Sequence, residues 1–295
     1  MANAITFDEK NKSAQLTYQE LAQTMEMGNA WGELPKACPV QPGELITSIC
    51  SSVQKYSGLE ATVAPIVIRE PYCNVNRQKI KDKQDLEFKD YLIRRLVTRI
   101  DIPMLGFKGT NDAMNASIAL SYIYTDGAKG IQVGFGENVH VCENLSVFGG
   151  FTFSTYGNSR VSFEDGIQLM NHWLQNLQTL HDQHLDIIGK LMKAKVARTG
   201  FQRIVGSLFE KAVRYNAGSK EVMAPMNQTQ IAAMVAQGAE VLDSEVETLN
   251  GWQIMNWGTS ILKPHNSDMV DVIKDTSNFN SFLLNEFKIP HAITI

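Results

Sequence analysis

The sequence predicts an α+β protein in which an antiparallel β-meander packs under a long helix. Residues 115–156 alternate apolar and polar side chains and are interrupted by turn residues, which is the pattern of consecutive strands. Residues 163–191 place apolar side chains three or four positions apart, which is the spacing of one helix face. The C-terminal third continues with helical spacing, and these three observations together indicate the fold class.

The N-terminal segment, residues 1–58, is predicted to be helical. Thr17 followed by Glu20 has the pattern of a capping box and predicts the start of a first helix. Apolar residues at helical spacing predict a second helix over 44–56.

Residues 59–191 form the predicted α+β core. Pro65 interrupts the β-branched stretch 60–70, which predicts an edge strand or two short strands. Residues 85–100 have apolar side chains close to a helical period and predict a helix, with a strand over 96–102 as the alternative for the last part.

The meander is predicted to contain strands at 116–125, 130–136, 139–148 and 151–156. Asp126 and Gly127 suit the positive φ of a tight hairpin turn between the first two. Ser162 is the expected N-cap of the long helix. Residues 192–295 form a third, helical region, with one continuous domain including the core as the alternative.

The composition is typical of a soluble globular protein, with 44% hydrophobic and 20% charged residues in a chain of 295. The longest apolar stretches, such as 116–124, are far too short to cross a bilayer, so we expect a cytoplasmic protein without a membrane partner. The cysteines lack the paired spacing of a zinc site or a disulfide framework, and we expect reduced thiols at Cys38, Cys50, Cys73 and Cys142.

The charge is distributed unevenly along the chain. Residues 190–220 contain eight basic side chains and one acidic side chain, which gives this stretch a net charge of +7. Residues 77–108 have a net charge of +4. Because the net charge of the whole chain is −4, the net charge of the remaining residues is −15. Such segregation can form a basic groove that binds anions or nucleic acid, although helices with solvated basic faces explain it equally well.

The end of the meander combines aromatic side chains with an arginine at Phe151, Phe153, Tyr156 and Arg160. If these side chains are exposed, they offer a surface on which unpaired bases can stack. The alternative, which alternating aromatics in strands favour, is burial on one face of the sheet.

Motifs for catalysis and cofactors are weak. His181 and His184 lie three positions apart on one helix face, as metal ligands can, but no third ligand is indicated and a packed role is favoured. The glycines at 134 and 136 lack the third glycine and the following helix of a dinucleotide fingerprint. We therefore expect no cofactor and no metal, and a protein without enzymatic activity.

The segment Ile131 to Gly157, IQVGFGENVHVCENLSVFGGFTFSTYG, followed by a helix, resembles a family of uncharacterised phage- and plasmid-associated proteins. In that family a strand ending in a Val-Cys-x-Asn element precedes a long helix. The matching residues here are Val141, Cys142, Glu143, Asn144 and Leu145, and the resemblance extends over about 115–208. It implies a phage or mobile-element origin, and hence the host cytoplasm, without implying a reaction.

The meander followed by a long helix is also similar in topology to the core of single-strand annealing recombination proteins, although no sequence motif of theirs is matched. The leading hypothesis is therefore a non-enzymatic protein that binds single-stranded nucleic acid and forms a homo-oligomer. Its predicted phosphate contacts are Lys190, Lys193, Lys195, Arg198 and Arg203. The alternative is a phage-encoded interaction protein that inhibits a host defence or replication protein, and a third hypothesis is a metal-dependent hydrolase that uses the two histidines.

Overall fold

The structure is a computed structural model, and it describes residues 7–8, 13–23, 39–69, 72–73, 78–79, 91–92, 95–103, 114–125, 128–139, 144–155, 162–218, 224–242, 248–262 and 269–290. The chain forms two compact units. Unit 1 comprises 1–104, 116–134 and 153–177, and unit 2 comprises 105–115, 135–152 and 178–295. The three-part division of the sequence into 1–58, 59–191 and 192–295 stays a prediction.

The strands are β1 (Phe7–Asp8), β2 (Ser13–Leu16), β3 (Thr62–Val63), β4 (Ile66–Arg69), β5 (Tyr72–Cys73), β6 (Gln78–Lys79), β7 (Tyr91–Leu92), β8 (Arg95–Ile102), β9 (Met114–Thr125), β10 (Ala128–Val139), β11 (Asn144–Ser154), β12 (Lys195–Ala197) and β13 (Thr248–Asn250). The helices are α1 (Tyr18–Leu21), α2 (Pro42–Ser57), α3 (Phe163–Gln175), α4 (Leu177–Lys193), α5 (Arg198–Asn216), α6 (Gln228–Leu242), α7 (Gly251–Ile261) and α8 (Met269–Glu286). The predicted α+β class is confirmed.

The main sheet has the order β1-β2-β4-β8-β9-β10-β11, with β3 also pairing with β8. The pairings of β2 with β4, β4 with β8 and β8 with β9 are antiparallel. The strands of the predicted meander are therefore consecutive neighbours in a larger sheet, which the N-terminal strands extend. A second sheet has the order β6-β5-β7.

The core of unit 1 contains buried side chains of the sheet and of helices α2 and α3. Helix α2 packs against both β8 and α3. The apolar stripe of this helix is buried, as are apolar residues of β9; these residues are Leu45, Ile46, Ile49, Val53, Ile118, Leu120 and Tyr122. The hydroxyl of Tyr122 donates a hydrogen bond to the carbonyl oxygen of Val40 at 2.7 Å, which satisfies the only polar atom of this buried ring.

Several local predictions in unit 1 are confirmed. Thr17 Oγ1 accepts from the Glu20 N–H, and Glu20 Oε2 accepts from the Thr17 N–H at 2.7 Å, which is the predicted capping box. Helix α2 ends at Gly58, which has the left-handed φ of 71° that glycine tolerates best. Pro65 separates the two short strands β3 and β4. The N-terminal segment is not entirely helical, however, because it also contains strands β1 and β2 of the main sheet.

The helix predicted over 85–100 is wrong, because β7 and β8 occupy the described residues of this stretch. The alternative, a strand over 96–102, is confirmed. Strand β8 lies between β4 and β9. Apolar residues are buried on both of its faces, as at Leu96 and Val97. Burial on both faces removes the clean alternation that identifies a strand in a sequence.

Two predicted boundaries also differ. The strands predicted at 139–148 and 151–156 are joined in one strand, β11, which covers 144–154 and continues through the glycine pair at 149 and 150. Val139 is the last residue of β10, and residues 140–143 and 156 lie outside the described residues. The helix predicted over 163–191 is interrupted at Asn176, whose side-chain amide donates to the His172 carbonyl oxygen at 2.9 Å. Such a local bond from an asparagine side chain competes with helix propagation. Ser162 caps α3 as predicted, accepting from the Asp165 N–H at 3.1 Å.

The described residues of unit 2 form helices α4 to α8, parts of β9, β10 and β11, and a two-stranded sheet of β12 and β13. Helix α5 packs against α6, α6 against α7, and α7 against α8. The predicted helical C-terminal third is confirmed. None of the helices within the described residues is long and apolar enough to cross a membrane.

Candidate nucleic-acid interface

The basic residues predicted to contact phosphates lie on three consecutive elements of unit 2. Lys190 and Lys193 occupy the last turn of α4, Lys195 is the first residue of β12, and Arg198 is the first residue of α5. Arg203 follows on α5. All five are exposed. We refer to residues 190–214 as the basic segment.

Ion pairs neutralise only part of the basic segment. Lys190 Nζ lies 2.5 Å from Asp186 Oδ2, one helical turn earlier. Arg203 Nε lies 3.9 Å from Glu286 Oε2, which is the outer limit of an ion pair. Within the described ranges, Lys193 and Lys195 form no ion pair. Their ammonium groups are therefore the most available positive charges of the segment.

The helix dipoles stabilise some of these positive charges and destabilise others. Lys190 and Lys193 lie at the negative end of α4, where cations stabilise a helix. Arg198 lies at the positive end of α5, where a cation is unfavourable. Helix α5 also begins without a side-chain cap at Ala197 and without an acidic residue in its first turn. A positive helix end beside an arginine favours an anion.

Strand pairing fixes the backbone between the two helices. Lys195 pairs with Asn250, Val196 with Leu249 and Ala197 with Thr248. Val196 is buried, whereas its two neighbours in β12 are exposed. The N–H of Gly251 donates to the carbonyl oxygen of Ala194 at 3.0 Å. Lys195 therefore projects from an ordered strand.

The structure leaves the predicted aromatic part of the interface untested. Phe151 and Phe153 lie on β11, where the backbone is described and their side chains are not, while Tyr156 and Arg160 lie outside the described residues. Phe151 belongs to unit 2 and Phe153 to unit 1. The hypothesis that these four side chains contact bases stays a prediction.

Sequence analysis missed two exposed aromatics on α5. Phe209 is 50% exposed and Tyr215 is 58% exposed, high values for such large apolar side chains. Val213 is also exposed, whereas Ala212 beside it is buried. Phe209 falls outside the stripe formed by the buried residues Phe201, Ile204, Leu208 and Ala212, and the structure was needed to identify that stripe.

The second basic stretch, residues 77–108, belongs to unit 1 except at its end. Arg99 Nε lies 2.7 Å from Asp101 Oδ1, and Ser117 Oγ donates to the same oxygen at 2.6 Å. The guanidinium group of Arg99 is therefore already paired with a carboxylate of its own sheet. The stretch shows less available charge in its described residues than the basic segment does.

The two histidines considered for metal binding lie inside unit 2. His181 and His184 are both buried on α4, and the ring centroid of His184 lies 5.6 Å from that of Phe135. In the described part of the chain, no group of three His, Cys, Asp or Glu side chains could hold a metal ion. The metal-dependent hydrolase hypothesis gains no support from this part of the chain.

Comparison with protein-family models, with curated proteins and with solved structures gave no match to this chain.

Proposed function

We propose that this protein binds single-stranded nucleic acid through the basic segment. The observation that carries the proposal is the exposure of Lys193, Lys195 and Arg198 on three successive elements, with the two lysines free of ion pairs among the described residues. Phosphates bind where cations are exposed and incompletely neutralised. The origin in a phage or mobile element and the formation of a homo-oligomer belong to the same proposal.

The helix geometry supports the proposal further. The uncapped start of α5 presents backbone N–H groups beside Arg198 and close in sequence to Lys195. An N–H cluster at a helix start favours a phosphate, and Lys195 and Arg198 are the cations nearest to this helix start in the sequence. Lysine binds phosphate as a point charge, a contact that does not depend on base sequence.

A salt titration tests the proposal. Binding of a fluorescent oligothymidylate should weaken linearly with the logarithm of salt concentration, by a slope of about 0.7 per phosphate contacted. The variant K193E/K195E should lower that slope by about 1.4, since it removes two contacts. The variant K55E/K288E is the matched control, because it reverses two exposed lysines outside the basic segment and should bind like the wild type.

Absence of binding at low salt would contradict the proposal, as would a K193E/K195E slope equal to that of the control. Binding that both double variants weaken equally would indicate a general charge effect and would also contradict it.

A protein partner is the second candidate, and one observation favours it. Helix α6 has no charged residue between Gln228 and Ala239, although most of these side chains are exposed, including Ala232, Ala233, Val235, Ala236 and Ala239. Exposed helix faces normally carry charge, and small apolar side chains permit close approach of another helix. We propose that this face contacts a host protein, as an inhibitor would.

Co-purification from nuclease-treated host lysate tests this second candidate. A stoichiometric partner should be retained by the wild type and lost with Val235→Arg, while Gln237→Arg, a change outside the apolar residues, should retain it. A partner that nuclease removes, or one that Val235→Arg retains, would contradict the candidate. Light scattering of the purified protein distinguishes a second copy of this chain from a host protein.

A further inference from the structure

Gly206 is unexpected in the middle of α5. The position is exposed, its φ lies outside the left-handed region, and apart from its own helix no atom of the described residues lies within 4 Å of where a Cβ would be. Neither backbone conformation nor packing therefore requires glycine there. Glycine inside a helix is less favourable than alanine, so the sequence accepts a loss of stability at this position.

Exposed side chains surround Gly206 on the surface of α5. Residues three and four positions away are its neighbours on the helix surface. They are Gln202, Arg203, Phe209 and Glu210, and all four are exposed. The backbone at Gly206 therefore has no side chain of its own on a helix surface that also carries Phe209 and Arg203, and we call this part of the surface the notch.

The electrostatics of the notch favour an anionic ligand. Helix α5 carries four basic residues, Arg198, Arg203, Lys211 and Arg214, against the single carboxylate of Glu210. Glu210 borders the notch, but its Oε1 lies 3.5 Å from Arg214 Nη1, which offsets its repulsion of phosphate. Arg203 is 71% exposed and only weakly tied to Glu286.

We propose that this notch seats one unpaired base of a bound single strand, stacked on the ring of Phe209 and lying over Gly206, with Arg203 on an adjacent phosphate. The inference rests on the proposed function and deepens it, because it names the stacking residue of the same basic segment. Every base has a flat π-face, so the site takes single strands of any sequence and excludes paired bases.

Three variants test the inference by fluorescence anisotropy with a labelled oligothymidylate. Phe209→Ala should weaken binding about fivefold or more while leaving the salt slope unchanged, since no phosphate contact is lost. Phe209→Trp should retain binding, because indole also stacks. Gly206→Ala should weaken binding while raising the melting temperature by about 1–4 °C.

Two controls accompany these variants. Ser51→Ala exchanges an exposed residue inside α2 for a better helix former and should raise stability without changing binding. Leu169→Ala truncates an exposed apolar side chain on α3 and should bind like the wild type. A duplex of the same oligonucleotide should compete weakly.

The outcomes separate this inference from the proposed function. If the wild type binds and K193E/K195E lowers the salt slope, but Phe209→Ala and Gly206→Ala bind normally, the inference is overturned and the proposed function stands. If the wild type does not bind at low salt, both fail. If Phe209→Ala reduces the molar mass in light scattering from an oligomer to a monomer, the notch belongs to a subunit interface and the inference is overturned.

Discussion

Gly258 shows how single residues set the helix packing of unit 2. An added Cβ would lie 2.0 Å from Cε1 of Phe279, whose side chain is fully buried. Gly238 has the same relation to Phe201, at 2.4 Å. In both cases an aromatic ring lies directly on the backbone of a neighbouring helix, which only glycine permits.

We therefore expect Gly258→Ala to lower the free energy of unfolding by about 1–3 kcal/mol, because the ring of Phe279 must shift in a full core. Thermal unfolding followed by circular dichroism measures the change. The double variant G258A/F279L should recover part of the loss, since leucine lacks the atoms that clash. An unchanged melting temperature in Gly258→Ala would contradict the ring position.

Cys50 on α2 is half-buried, and burial raises the pKa of its thiol while a backbone hydrogen bond partly opposes the shift. Because the thiolate is the reactive form, we expect slow alkylation by iodoacetamide at pH 8 in the folded protein and fast alkylation in urea. Peptide mapping by mass spectrometry measures labelling at this position. Equal rates in the two states would contradict the prediction.

At the scale of elements, Asn250 connects β13 to α7. Its Oδ1 accepts from the Gln253 N–H at 2.8 Å, and the Gln253 side chain accepts from the Asn250 N–H at 2.9 Å. Asn250→Ala should destabilise unit 2 by about 1 kcal/mol, because this helix start loses its cap, whereas Asn250→Asp should stay close to the wild type. Urea denaturation measures both. Equal losses in the two variants would show that the cap contributes little.

Elements controlled by neighbouring residues were predictable from the sequence. The caps at Thr17 and Ser162, the end of α2 at Gly58 and the break at Pro65 each depend on a few adjacent residues. Strand β8 was mispredicted because its state depends on β4 and β9, which are distant in the sequence. The glycine at 238 inside α6 likewise reflects a distant residue, because the ring of Phe201 occupies the place of a Cβ.

The candidate site was predictable in part for the same reason. Charge can be counted along a sequence, so the basic residues could be named before their exposure was known. The exposure of Phe209 depends on which face of α5 packs against α6. The proposed role of Gly206 in binding depends on the residues that surround it. Both features depend on tertiary packing, so the structure was needed to identify them.

At the scale of the whole molecule, the charge distribution matters more than its sum. A net charge of −4 would predict weak retention on a polyanionic support. We expect retention on heparin at pH 7 nonetheless, because the basic segment presents its charges together. K193E/K195E should elute at lower salt than K55E/K288E, although both variants have the same net charge. Identical elution of the two would contradict local binding.

The pairing of β12 with β13 has a thermodynamic consequence for the proposed interface. It joins residues 195–197 to residues 248–250, so the backbone that carries Lys195 is already ordered before any ligand arrives. Little conformational entropy then remains to be lost on association, which distinguishes this surface from a basic tail that folds as it binds. A free peptide covering the basic segment has the same charges without this ordering, and its affinity should be correspondingly lower.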